Sequence, residues 1–290
     1  MSYISIIKIT LKLHRNRIDK FHKIISGIFC IRKHIIDINT RREIKAIGEI
    51  GRGPKEFITP VPIKSIGNKI FTYDLNQTKQ AYYSIDSLLV MKDPFILLPP
   101  LPIEDCLDIV QIAEGEFIST HPQNEQLFQW IHQDSTVSFF GKSPIKEKLK
   151  DYYNSRQGTL SYNPYNQKLI YSASLFPYIA LYEKEGNNFQ LKWEKISSKN
   201  FYEIKNGDIH FIEEALVPHE IILTKDYIIT LQKEENAPTS TKRTTGIRDF
   251  SQVPNTIFVY DYDFNLKKII DMGMPILRIE TKGNSNTIYA

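Results

Sequence analysis

The chain is poor in the residues that mark most recognisable chemistries. It has two cysteines among 290 residues, Cys30 and Cys106, too few for a disulfide framework. Each lies in an apolar stretch and reads as a small buried hydrophobe. The Lys and Arg residues near Cys30 give only a weak low-pKa setting for a reactive thiol. No stretch reaches about 18 uninterrupted apolar residues, which excludes a membrane-spanning helix. The N-terminus lacks the apolar core of about 7–15 residues that a signal peptide needs, because Lys8, Lys12 and His14 interrupt it. The run Ile24–Cys30 is too short and too deep for a lipoprotein cleavage site and reads as a strand. There is no Gly-x-Ser-x-Gly elbow, no Cys–His family signature, and no dinucleotide fingerprint or His-Glu-x-x-His pair.

Charge is also short of any long single-sign run. Net charge is +4. Residues 1–55 carry thirteen Lys/Arg against four Asp/Glu, and the remainder twenty-four against twenty-nine. Lys8, Lys12, Arg15, Arg17, Lys20 and Lys23 are scattered among apolar residues, which is the pattern of a solvated strand face and not of a nucleic-acid or lipid patch.

What the chain does have is aromatic and β-branched bulk, with 16 Tyr, 16 Phe and 2 Trp beside an Ile-rich apolar set. Such residues fit pleated, half-buried strands. Helix signals are few. Ser143 as a cap and Pro144 at the first helical position predict a short helix or helical turn over 143–153, and a weaker helix candidate runs over 209–216. Strand signals recur throughout. Ile7 to Leu13 alternates strictly, so Ile7, Ile9, Leu11 and Leu13 share a face. A turn residue followed by an apolar run recurs with anchors at Ile28, Ile70, Phe117, Ile170, Ile228 and Ile288, spaced 42, 47, 53, 58 and 60 residues apart. Most anchors lead into a second strand, at 35–38, 80–85, 127–132, 178–182 and 256–262. Units of this size, each holding several strands, predict a β-propeller in which blades bury one another's faces. The polar segment 233–255 reads as a long surface loop.

The most distinctive segment is Gly48-Glu49-Ile50-Gly51-Arg52-Gly53-Pro54-Lys55-Glu56-Phe57. Gly51 and Gly53 suit a tight loop, Pro54 fixes its own φ, Glu56 can accept the loop's own N–H groups or pair with Arg52, and Phe57 can plug the gap between blades. The Walker spacing is absent, and Thr59-Pro60-Val61-Pro62 forbids the helix a phosphate loop needs. With Ile36-Asp37-Ile38-Asn39-Thr40 and Ile47-Gly48 before it, this loop resembles the D-x-x-T … G-x-G-P-G-E-F signature of TolB-like six-bladed β-propellers common in Bacteroidetes. The segments Asp226–Ile229, Ile257–Asp261 and Asn286–Ala290 agree with it. Lys55 departs from that signature, standing where the family has Gly. The resemblance implies a single all-β domain over 1–290, a six-bladed propeller with its last blade incomplete and residues 1–23 available as a closing strand. It also implies a periplasmic or outer-membrane-associated place, although the chain shows no signal peptide.

The functional expectation is a non-catalytic module binding a protein, small-molecule or glycan ligand, with no nucleic acid, no transmembrane segment and no cofactor. Gly51, Arg52, Gly53, Pro54, Glu56 and Phe57 form the family loop, read as mainly structural. The alternative is a propeller hydrolase or lyase holding Ca²⁺ or Zn²⁺ at the channel mouth, where His121 and His219 would sit. His210 with Glu213 and Glu214 on a short helix is a weaker metal candidate. Tyr152, Tyr153, Tyr162, Tyr165, Phe201 and Tyr202 are candidates for stacking on sugar rings.

Overall fold

The computed structural model describes residues 8–10, 23–25, 33–37, 42–63, 68–74, 76–90, 92–103, 106–123, 125–233 and 253–290. These residues build antiparallel meanders almost without helix. Four sheets have four strands each, spanning 60–98, 109–140, 158–196 and 220–271. A three-stranded sheet spans 23–47. A last sheet pairs Glu280–Thr281 with Thr287–Tyr289, and Thr287–Tyr289 with Lys8–Thr10. The N-terminal strand therefore lies in the same sheet as the C-terminal ones, with Ile9 opposite Ile288.

The hydrophobic pattern explains why these sheets stack. In the 109–140 sheet, Ile109, Phe117 and Ile131 face the 60–98 sheet, where Phe71 and Phe117 lie 4.8 Å apart. The alternate residues Val110, Ile118 and Trp130 face the 158–196 sheet. That sheet presents Leu169, Tyr171 and Tyr182 backward and Ile170, Ile179 and Leu181 forward. The 220–271 sheet continues the alternation, with Ile221, Leu223 and Ile228 on one side and Ile222, Ile229 and Ile257 on the other. Each central strand is thus apolar on both faces, as strands buried on both sides must be. Each large side chain so buried contributes about 1.5–3 kcal/mol. This radial stack of small meanders is a β-propeller.

The first strands of the sheets neighbour one another in the order 60–63, 109–113, 158–163, 220–223 and 280–281, and they form the inner wall of the ring. An inner strand has a free edge, so it tolerates Pro60 and Pro62, which lack a ladder N–H. The anchors Ile70, Phe117, Ile170, Ile228 and Ile288 all lie on the strand next to that wall, each 6% exposed or less. Ile28, most of 1–23 and 234–252 of the polar segment lie outside the described residues.

The helix expectations need correction. Of the 143–153 prediction only Tyr153 is helical, as the first residue of the short helix Tyr153–Arg156. Ile145 and Leu149 are buried against the 158–196 sheet, and Lys150 N–H donates to Gly207 O at 2.9 Å, so tertiary contacts take the place of a helical ladder. In place of the 209–216 helix, Asp208–Phe211 is a strand paired with Tyr202–Lys205. His210 therefore lies opposite Glu203, and Glu213 holds Lys199 at 2.7 Å. A five-residue helix, Ile85–Leu89, carries no strong sequence signal. Its cap is Ser84, which accepts from Ser87 N–H at 3.2 Å.

Candidate functional site

The Gly-Pro-Glu-Phe loop folds on itself. Gly53 N–H donates to Glu56 Oε2 at 2.7 Å, and Glu56 N–H donates to Gly53 O at 3.1 Å. The Glu56 carboxylate fills the space a side chain at Gly51 would need: a Cβ there would lie 1.9 Å from Glu56 Oε2. Lys79 Nζ reaches Gly53 O and Glu56 O at 2.7 and 2.8 Å. Gln77 Nε2 donates to Gly51 O. Phe57 is 1% exposed among Ile35, Ile47, Ile70 and Tyr83, between the 23–47 and 60–98 sheets. Pro54 and Lys55 are exposed, and Lys55 pairs with Asp93.

Beside the loop lies an acid the sequence reading missed. Asp74 is fully buried and accepts from the N–H groups of Ile58, Thr59, Asn76 and Gln77. Burial pushes its carboxyl up, but these four donors outweigh that and hold it below the usual carboxylate range.

The starts of the inner strands bring charge to one end of the ring. Asp108 accepts from its neighbour Ile109 N–H at 3.0 Å and from Leu160 N–H, in the next sheet, at 2.7 Å. Glu220 repeats the arrangement two seams further on. It accepts from Ile279 N–H at 2.5 Å and pairs with Arg278 Nη1 at 2.9 Å. Arg278 acts electrostatically on both acids, so groups from three sheets converge here. Burial raises the Asp108 carboxyl to about 6, against the pull of its N–H donors and Arg278. Burial also raises Glu220.

His219 joins this mouth. Its backbone N–H donates to Leu231 O at 2.8 Å. Desolvation first, then the charges of Arg278 and Lys233, hold its imidazole below the usual value. His121 follows the strand whose Thr120 holds Asp108, but its ring turns the other way. It rests edge-on against Phe139 of the outermost strand, and its Nδ1 accepts from Gln123 N–H at 3.0 Å. The two histidines therefore have different surroundings. Among the described residues no group of three or more His, Cys, Asp or Glu is placed to hold a metal ion.

The opposite end of the inner wall is tied by one amide. Asn163, 1% exposed, donates through Nδ2 to Thr224 O and Gly283 O, each at 2.9 Å. Starts meet starts and ends meet ends, so these inner strands run side by side in the same direction. Of the remaining aromatic candidates, Tyr162 is 6% exposed and belongs to the core, while Tyr153 and Tyr165 are 47% and 65% exposed.

No protein-family model matches the chain, and no curated protein matches it. Solved structures do. A member of the DUF4221 family from Bacteroides vulgatus ATCC 8482 superposes with a TM-score of 0.55 at 9% identity, over 98% of this chain and 95% of that one. A putative exported protein from Bacteroides fragilis NCTC 9343 gives 0.53 at 11% identity, over 92% and 76%. The β-propeller domain of Cps50 (Swd1) from Myceliophteria thermophila gives 0.44 at 9%, over 89% and 76%. At these identities the likeness concerns the fold. Among the described residues no helix is long and apolar enough to cross a membrane.

Proposed function

We propose that the chain is a six-bladed, TolB-like propeller of the bacterial cell envelope that binds a ligand at the end of the ring where its inner strands begin, without catalysing a reaction on it. The observation that carries this reading is the convergence of Asp108, His219, Glu220 and Arg278 from three sheets on that end. A rigid ring that gathers unlike charges at one mouth is a common platform for recognition.

The acids speak for binding rather than catalysis. Both oxygens of Asp108 and both of Glu220 already accept hydrogen bonds from strand starts or Arg278. A general acid or base needs a free oxygen within reach of substrate. The Glu56 loop, on this reading, clasps two blades and does not touch ligand. The envelope location rests on the fold likeness to the exported Bacteroides protein.

The test is a thermal-shift screen of the full chain against peptides, oligosaccharides, carboxylates and amines, with and without added Ca²⁺ or Zn²⁺. The reading expects a stabilising compound that is not turned over, whose effect drops in a His219→Ala variant and needs no metal. Turnover of the compound, or strict dependence on metal, would overturn it.

A further inference from the structure

The segment linking the outermost strand Asn188–Ile196 to the hairpin at 202–211 lines a half-open cavity of about 210 Å³. Phe176 and Pro177 contribute to its floor, Phe201 and Tyr202 to one wall, and Ser197 to Asn200 to the rim. We infer that this cavity binds a single uncharged sugar ring.

The aromatic side of the cavity is held in place. Phe176 is 1% exposed, meets Tyr202 edge-on at 5.7 Å and stacks on Phe211 at 6.4 Å. The polar rim is fixed by its backbone. Ser197 N–H donates to Pro177 O at 3.1 Å, Lys199 N–H to Ser197 Oγ at 3.1 Å, and Ile212 N–H to Phe201 O at 2.9 Å. Rigid groups of this kind lose little entropy on binding.

A sugar ring matches this lining. Its C–H face stacks on an aromatic wall, as other apolar bodies do, and its hydroxyls need the hydroxyl and amide groups that Ser197, Ser198 and Asn200 supply. Charge argues against an ionic ligand. The one cation in the lining is Lys199, and the Glu213 carboxylate already holds it at 2.7 Å. Size argues against a long ligand, because the cavity lies below the roughly 300–1,000 Å³ of pockets that take drug-sized molecules.

The experiment is saturation-transfer NMR on the full chain with glucose, galactose, mannose and N-acetylglucosamine, and with glucuronate and glucosamine as charged comparators. At least one neutral sugar is expected to bind with a dissociation constant of about millimolar. Ser198→Trp, which fills the cavity from an exposed rim position, should abolish that binding, and Phe201→Ala should weaken it about tenfold. Asp108→Asn, at the separate ring mouth, should leave it unchanged. No transfer from any neutral sugar, transfer unaltered in Ser198→Trp, or tighter binding of either charged comparator would overturn the inference. None of these results bears on ligand binding at the mouth.

Discussion

Replacing Asp108 with Asn should change how stability depends on pH in a direction that burial dictates. The Asp108 carboxyl sits at about 6 in the folded chain against an ordinary 3.8. The folded state therefore holds this proton more tightly than the unfolded state does. The stability it contributes is fully present below about pH 3.8 and is lost as the pH rises through about 6. A difference of that size corresponds to about 3 kcal/mol. Other acids work the opposite way. Asp74 and Asp261 have depressed values and lose stability on acidification, so the wild-type curve alone hides the effect. The useful quantity is the difference between Asp108→Asn and wild type, measured by urea unfolding at several pH values between about 3.5 and 7.5. That difference should shift in favour of the variant by about 3 kcal/mol as the pH rises. A fixed offset of about 1 kcal/mol is expected from the N–H partner that Asn cannot satisfy. A difference that stays flat, or that moves against the variant with rising pH, would refute the burial of this carboxyl at the ring mouth.

Five further substitutions probe the seams and turns. Arg278→Ala leaves the buried Glu220 carboxylate without its cation and should cost about 2–3 kcal/mol in urea unfolding, less than a fully buried pair because Arg278 is partly solvated. Glu220→Gln, which can still accept from Ile279 N–H, should cost less than Arg278→Ala. Gly51→Ala should cost about 1–3 kcal/mol by evicting the Glu56 carboxylate, whereas Gly186→Ala, with open space around it and only its positive φ to strain, should cost about 1 kcal/mol. Asn163→Ala removes two buried hydrogen bonds linking three sheets and should cost about 2–4 kcal/mol, seen as a lower melting temperature in calorimetry.

The repeating strands were legible because their signal is local. A turn residue followed by alternating or continuous apolar residues fixes a strand wherever both faces are buried, and the anchors from Ile70 to Ile288 occupy equivalent places in successive sheets. At 143–153 and 209–216 the cap and propensity signals are weak beside tertiary contacts: burying Ile145 and Leu149, and pairing Asp208–Phe211, decides those segments. The ring mouth was only partly legible. His219 stands out in the sequence from its place before a strand, whereas Asp108, Glu220 and Arg278 do not. Asp108 acts on a backbone 52 residues away and Glu220 on one 59 residues away, and nothing in the local sequence records that reach. The one local trace is an acid placed just before an apolar strand, Asp108 before Ile109-Val110 and Glu220 before Ile221-Ile222-Leu223. Asp74 was hidden in the same way, since its donors come partly from Ile58 and Thr59.

The central claim is that recognition happens at the end of the ring where the inner strands begin. It can be tested by placing a photo-crosslinking residue at His219, and separately at Ile269 on an outermost strand, which is 54% exposed. Irradiation of cells expressing each full-length variant, followed by mass analysis of the envelope fraction, should give a discrete cross-linked product from position 219 and none from position 269. A product from position 269 alone would contradict the account.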